Sequence, residues 1–440
     1  MPEQYSATHP IDCGDVAGAP RLTAAQCRVL GVGALGGALE YYEFVVFVFL
    51  TPVIGSLMFP SAIPDWLKLV QTFAIFAVGY LAKPLGGIVI SMLGDRIGRK
   101  RSFGVTLLLM AIPTFCIGLL PTYAQVGVMA PILLLVCRVC QGIAIGGEFP
   151  TAMTFIVEHV PERRSGFSVG LTSAAFTCGM LLAIMMLIVV GRHFAGAEML
   201  STGWRIPFLV GGVFGLASAF ARRYVRETPV FEEMQQRKRT SEKASFSALL
   251  KRYPGEMVLC VLASLAQSGI IASIMIFPLS FLQVEMGMAR DVVNQAQLWM
   301  LVSIIVGNVL VGSLVDRFGI KYIVPLFALG TIAASYAAFA SPDASTLRYG
   351  FAAVGFMLTF TTGMNIILVR SFPASIRLTG FSVTYNPTSA VVGGLLPLGM
   401  SYLAHFDQAA LFYVPALFAF CGMLVAPLSV RYRKPLYEAA

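Results

Sequence analysis

GDRIGRK (94–100) and VDRFGIK (315–321) are the stretches whose reading decides the fold. Each ends a long apolar run, and each sets Asp-Arg ahead of a glycine and a lysine, 221 residues apart in a chain of 440. A second pattern recurs in the same order: RRSGFSV (163–169) returns as RLTGFSV (377–383), 214 residues later. Two patterns at nearly one offset describe two homologous halves. Many transporters are built from such repeats, with the ligand site between them near the middle of the bilayer.

The sequence around these repeats is apolar. Hydrophobic residues make up 57 % and charged residues only 12 %, and the mean hydropathy is +0.79. Soluble chains carry about one-quarter charged residues, so a cytosolic or secreted globular protein is excluded. An apolar stretch of roughly 17–25 residues can cross the hydrocarbon as a helix. Twelve are read here, near 29–50, 70–93, 103–120, 131–157, 166–190, 204–221, 257–283, 294–314, 323–340, 347–369, 380–402 and 411–430. The expected class is an all-α membrane protein of twelve transmembrane helices in two pseudo-symmetric six-helix bundles. The bundles are predicted over 29–221 and 257–430, joined by a linker over 222–256 and flanked by a terminal segment, 1–28, and a tail, 431–440. The terminal segment shows no cleavable signal, which leaves the first span as the expected targeting signal.

The net charge of +9 follows the same topology. With both termini cytoplasmic, 24 of the 31 Lys and Arg fall on the cytoplasmic side and five (Lys68, Arg192, Arg205, Arg290, Arg348) fall outside. That asymmetry is the positive-inside rule. The basicity therefore reports orientation, and no nucleic-acid partner is expected. CRVC (137–140) has redox spacing but lies inside a span, away from the helix N-terminus that lowers a thiol pKa. The four histidines sit at ends or loops, and no metal or other cofactor is expected beyond a coupling proton.

These residues also carry a family resemblance. GDRIGRK resembles the signature loop of the major facilitator superfamily, and the chain as a whole is similar to its bacterial metabolite:proton symporters, which include 2-oxoglutarate, citrate, shikimate and proline/betaine permeases. The resemblance rests on GGALEYYEF (36–44), KPLGG (83–87), RVCQGIAIGGEF (138–149), VEHVPERRSGF (157–167), WRIPF (204–208), RETPVFEE (226–233) and RLTGFSVTYN (377–386). It implies the major facilitator fold in a bacterial inner membrane and alternating access driven by a proton gradient. Gly37, Glu43, Lys83 and Pro150 depart from the Asn, Asp, Arg and Gly that the resemblance leads one to expect. It also implies a charge network at the cytoplasmic ends of the helices: Asp95, Arg96, Arg99, Glu158 and Glu227 in the first half, with Asp316 and Arg317 as a weaker counterpart. That network is expected to hold the first bundle together and to break when the cytoplasmic side opens.

Five charged residues are read as deep in the bilayer: Glu40, Glu43, Lys83, Arg138 and Glu148. A charge at the bilayer centre costs roughly 2.5–3.5 kcal/mol on insertion scales. Three acids against two bases leave one carboxyl over, and desolvation favours the protonated form of an unpaired carboxyl. Glu40, Glu43 and Glu148 are therefore the candidate proton-coupling residues. Glu40 and Glu43 share a helix face at i and i+3, and one proton shared between them is the simplest mechanism. The alternative is structural pairing, of Glu40 or Glu43 with Lys83, and of Glu148 with Arg138 or Lys83.

Lys83 and Arg138 are candidate substrate ligands, since a cation in a cavity attracts a carboxylate. Lys83 precedes proline and two glycines that loosen its helix. Gln141, Tyr41, Tyr42, Tyr385 and Asn386 complete the expected substrate set. Two deep cations favour a symporter that imports a small organic acid, acting as a monomer in lipid. A proline or betaine symporter, with aromatic faces holding the cation, and a proton-exchanging exporter are the alternatives. No nucleotide-binding loop or catalytic triad is found, so no enzyme activity is expected.

Overall fold

The computed structural model describes residues 22–194, 196–222, 227–236, 251–284, 286–339, 343, 345–432 and 434. Among these residues there is no strand, and twelve helical spans are long and apolar enough to cross a membrane. Spans 1 to 6 are Gln26–Met58, Trp66–Ile97, Arg99–Leu119, Met129–His159, Glu162–His193 and Met199–Arg222. Spans 7 to 12 are Pro254–Gln283, Asp291–Phe318, Ile320–Phe339, Leu347–Arg370, Arg377–Phe406 and Ala410–Tyr432. Each overlaps one apolar stretch read from the sequence, and most run longer. Hydropathy marks only the part that needs lipid, whereas a helix continues into the interface. The first 21 residues, most of the expected linker (223–226 and 237–250) and 435–440 lie outside the described residues.

The two repeated loops make the same turn. Gly98 ends span 2 with φ 111°, and Gly319 ends span 8 with φ 88°. A residue with a Cβ is strained in that region, so each repeat needs its glycine. Beyond each turn the next span starts at once.

Span 2 is two helices, Asp65–Leu81 and Lys83–Ile97, meeting at Ala82. Pro84 has no N–H to continue the first helix's ladder, so the break falls just before Lys83. Span 7 is likewise interrupted, by a π-helical turn at Ile271–Ile276. In span 10 the interruption is a 3-10 turn at Leu358–Phe360.

The halves meet through close backbone contact near the repeated loops. A Cβ on Gly312 of span 8 would lie 2.3 Å from the carbonyl oxygen of Gly166 in span 5. On the other side of the molecule, a Cβ on Gly87 of span 2 would lie 2.1 Å from Asn386 Nδ2 in span 11. Small residues let helices approach this closely. Burial along span 11 shows which end is shut: residues 377–386 are all buried, whereas 391, 394, 395, 399 and 401–403 are exposed. The bundle is closed at the end of the repeated loops, hereafter the basic end.

Candidate functional site

The deep charges sort into pairs that the sequence order conceals. Glu43 receives two hydrogen bonds from Arg138, Nη2 to Oε1 at 2.7 Å and Nη1 to Oε2 at 3.3 Å. Both side chains are buried, and the guanidinium carbon sits 3.5 Å from the centre of the Phe47 ring. Span 1 places Glu43 and Phe47 one turn apart, so a single helix face grips Arg138 by charge and by ring. Arg138, expected as a substrate ligand, is therefore committed to Glu43. The proton expected to be shared between Glu40 and Glu43 has no such arrangement here, because Arg138 takes both oxygens of Glu43.

Glu148 pairs with Arg222, a residue placed by sequence in the linker. Arg222 Nη2 lies 2.7 Å from Glu148 Oε1. Thr106 also donates to Glu148, and Arg222 donates to the Phe103 carbonyl with its guanidinium over the Phe103 ring. The alternative for Glu148, a structural pair with a deep cation such as Lys83, is thus met instead by Arg222. A signal was present: Gly211, Gly215, Ser218 and Arg222 fall on the buried face of span 6. A small-residue face that ends in an arginine delivers that arginine to a neighbouring helix. Arg222 also corrects the tally of three acids against two bases, which becomes three against three.

Glu40 and Lys83 are left. Both are buried, and neither forms an ion pair among the described residues. Glu40 Oε2 receives no hydrogen bond among the described residues. The Lys83 ammonium lies 5.2 Å from the centre of the Tyr80 ring and 5.0 Å from that of Tyr385. From Tyr385 an aromatic row runs back across the halves. Phe149 stacks on Tyr385 at 4.9 Å, Phe176 meets Phe149 at 5.6 Å, and Tyr41 meets Phe176 at 5.6 Å.

Of this row, sequence reasoning named Tyr41 and Tyr385 but missed Tyr80, Phe149 and Phe176. Tyr80 stands at i−3 from Lys83, so helical spacing alone could have suggested it. Phe176 had no local signal. Its ring fills the space above Gly37, where a Cβ would lie 1.4 Å from a ring carbon. The departure from Asn at position 37 is what admits that ring.

The remaining expected ligands are placed differently. Tyr42 turns away, donating to the Pro207 carbonyl at 2.9 Å within the first bundle. Gln141 donates to Thr114 Oγ1 at 2.9 Å, and its buried Oε1 has no donor among the described residues. Asn386 reaches across the halves and donates to the Gly146 carbonyl at 2.7 Å. Asn386 thus ties span 11 to span 4 beneath the aromatic row.

The charge cluster at the basic end also differs from expectation: it joins the halves rather than bracing one. Glu158 of span 4 is its centre, accepting from Arg377 at 2.9 Å and from Thr228 at 2.8 Å, with Arg99 Nε at 3.3 Å. Asp95 pairs with Arg99 at 3.2 Å and accepts from the Thr379 N–H and hydroxyl at 2.9 and 2.7 Å. Arg99 donates to the Ala374 carbonyl at 2.6 Å. Glu227 accepts from the Lys100 N–H at 3.0 Å.

The second repeat makes a smaller version of the contact. Asp316 accepts from the Gly166 and Phe167 N–H groups, both at 2.7 Å, at the start of the long helix of span 5. Arg370 pairs with Glu162 across the halves. Each aspartate of the repeated loop therefore caps the helix start that bears the other repeated pattern. A carboxylate there also meets the positive end of the helix dipole. Arg96 and Arg317, expected in the network, are exposed and form no ion pair among the described residues.

A twelve-span bundle with polar groups buried between its halves and an ion-pair seal at one end defines a membrane transporter, not an enzyme. The family profile described as "Sugar (and other) transporter" matches residues 29–257, and the chain belongs to that family within the major facilitator superfamily. Its relatives include the proline/betaine transporter of Escherichia coli (strain K12), 29 % identical over 397 residues that cover 87 % of this chain and 78 % of the relative. The glycine betaine/proline/ectoine/pipecolic acid transporter OusA of Dickeya dadantii (strain 3937) is 30 % identical over 410 residues, covering 89 % and 80 %. Among solved structures, the proton:xylose symporter XylE bound to 6-bromo-6-deoxy-D-glucose has a TM-score of 0.75 at 18 % identity, covering 93 % of this chain and 96 % of that one. The transporter FucP in the outward conformation has a TM-score of 0.68 at 17 % identity, covering 92 % and 99 %.

Proposed function

We propose that the chain is a proton-coupled symporter of a small zwitterionic osmolyte of the proline or betaine kind. The observation that carries this reading is what remains after pairing: one carboxyl, Glu40, and one ammonium, Lys83, beside an aromatic row. The case for an organic acid rested on two deep cations, and Arg138 is occupied by Glu43. One cation and one carboxyl between aromatic faces suit a solute that carries one charge of each sign. The relatives named for proline and betaine support the same choice.

Glu40 is the carboxyl that can exchange a proton without breaking an ion pair. In the empty carrier, ionised Glu40 and Lys83 balance one another. Protonation of Glu40 leaves the Lys83 charge uncompensated and available to the solute carboxylate, so proton and solute load together. The loaded site then carries one net positive charge and the empty site none, which makes transport electrogenic.

With both termini and the basic loops on the cytoplasmic side of a bacterial inner membrane, the seal closes the cytoplasmic face. The solute then enters from outside, and breaking the Asp95–Glu158 cluster and the Asp316 cap opens the inner face. Proteoliposomes under an imposed pH gradient and membrane potential test the reading. Concentrative, potential-driven uptake of proline or glycine betaine is expected, with little of citrate or 2-oxoglutarate. Gradient-independent uptake would sink proton coupling, and preference for the acids would restore the anion reading.

A further inference from the structure

The binding site already contains a cation against its aromatic faces. The Lys83 ammonium faces Tyr80, from its own span, and Tyr385, from the other half, at 5.2 and 5.0 Å from the ring centres. Both distances lie within the range of about 6 Å at which an ammonium is held by a ring face. Tyr385 is backed by Phe149 at 4.9 Å and flanked by Phe381 at 5.8 Å. Lys83 itself is buried and forms no ion pair among the described residues. The break in span 2 at Ala82 puts Lys83 at the start of a new helix, three residues after Tyr80.

We infer that Lys83 is a tethered ammonium that occupies a quaternary-ammonium site and so sets specificity within the zwitterion class. A trimethylammonium group needs aromatic faces, because it has no N–H to donate. Where Lys83 holds those faces, a second cation meets like charge. A solute with N–H groups, such as a secondary amino acid, can instead donate to Glu40. The chain should therefore favour proline-type over fully methylated zwitterions, and removing the ammonium should open the rings to a methylated cation. This inference rests on the zwitterion reading above and sharpens it.

The test uses tetramethylammonium, which has a methylated cation and no carboxylate, titrated into the purified full-length protein in detergent. Wild type should show no saturable binding. Lys83→Met and Lys83→Gln should each gain it, and Tyr385→Leu added to either should remove it. In competition with labelled proline on wild type, glycine betaine should compete about tenfold more weakly than unlabelled proline, the size of one desolvated cation–π contact. Saturable binding by wild type would overturn the inference. So would a failure of both Lys83 variants to gain binding while they melt as wild type does; if neither folds, glycine betaine competing on wild type as well as unlabelled proline does overturns it. Binding of tetramethylammonium does not involve the proton gradient. Failure of the zwitterion reading appears separately, as absence of driven uptake by wild type.

Discussion

At the scale of the residue, the buried charges divide into those that hold the bundle and those free to act. Glu43–Arg138 and Glu148–Arg222 are buried pairs. Removing one partner strands the other in low dielectric, which costs about 3–5 kcal/mol, whereas replacing both by apolar groups is often nearly neutral. Arg138→Met should therefore lower the melting temperature sharply, and Glu43→Leu in the same chain should restore most of the loss. A thermal melt in detergent compares the three. Glu40→Gln is expected to behave otherwise, since Glu40 has no ion-pair partner to strand among the described residues. It should melt near wild type and keep solute exchange between equal pools, yet lose uptake driven by a pH gradient. Full driven uptake in that variant would remove Glu40 from the proton path.

At the scale of the element, close approach is what makes the helices fit, and glycine is how the sequence provides it. Gly36 in span 1 faces the Glu148–Arg222 pair, where a Cβ would lie 1.8 Å from Arg222 Nη2 and 2.2 Å from Glu148 Oε1. Gly36→Val should displace Arg222 and destabilise the first bundle by about 3 kcal/mol, the scale of a broken buried pair. In the same denaturation assay Gly31→Val should cost far less, because Gly31 has open space beside it. Gly312 is a different case, since it sits where the halves touch. Gly312→Val would force Gly166 away, and the expected result is a wider separation of spans 5 and 8 at the basic end. Spin-label distances between those spans would show it, and an unchanged distance would contradict it.

At the scale of the whole molecule, the two repeats use one device with unequal strength. Asp95 lies in a fully buried cluster with Arg99, Glu158 and Arg377, and it also caps span 11. Asp316 is half-buried and accepts two backbone N–H groups at the start of the span 5 helix. Asp95→Asn should therefore open the basic end more than Asp316→Asn does. A cysteine introduced at Ser382, buried beneath the seal, reports the difference through its labelling rate from that end. Equal labelling in the two variants would mean that the halves share the seal evenly.

The same comparison shows how much was legible in sequence. The spans, the internal repeat and the burial of Glu40 and Lys83 were readable because a bilayer imposes them locally, through length, hydropathy and the cost of charge. Tyr80 and Arg222 were within reach of helical spacing, three residues from Lys83 and at the end of a small-residue face. Arg377 and Thr379 were visible as members of the repeated RLTGFSV, but their partners Glu158 and Asp95 lie more than 200 residues away. Phe176 above Gly37 and the assignment of Arg138 to Glu43 could not be read at all.

The sequence by itself determined that this chain crosses the membrane twelve times in two related halves and buries more charge than packing requires. Hydrophobic length and repetition are properties of the chain taken in order. Only the tertiary structure decided which charges cancel and which remain. A charge pair is made at about 3 Å between helices whose order in space the chain does not spell out. That choice left Glu40 and Lys83 without an ion pair among the described residues, with Lys83 against the rings of Tyr80 and Tyr385.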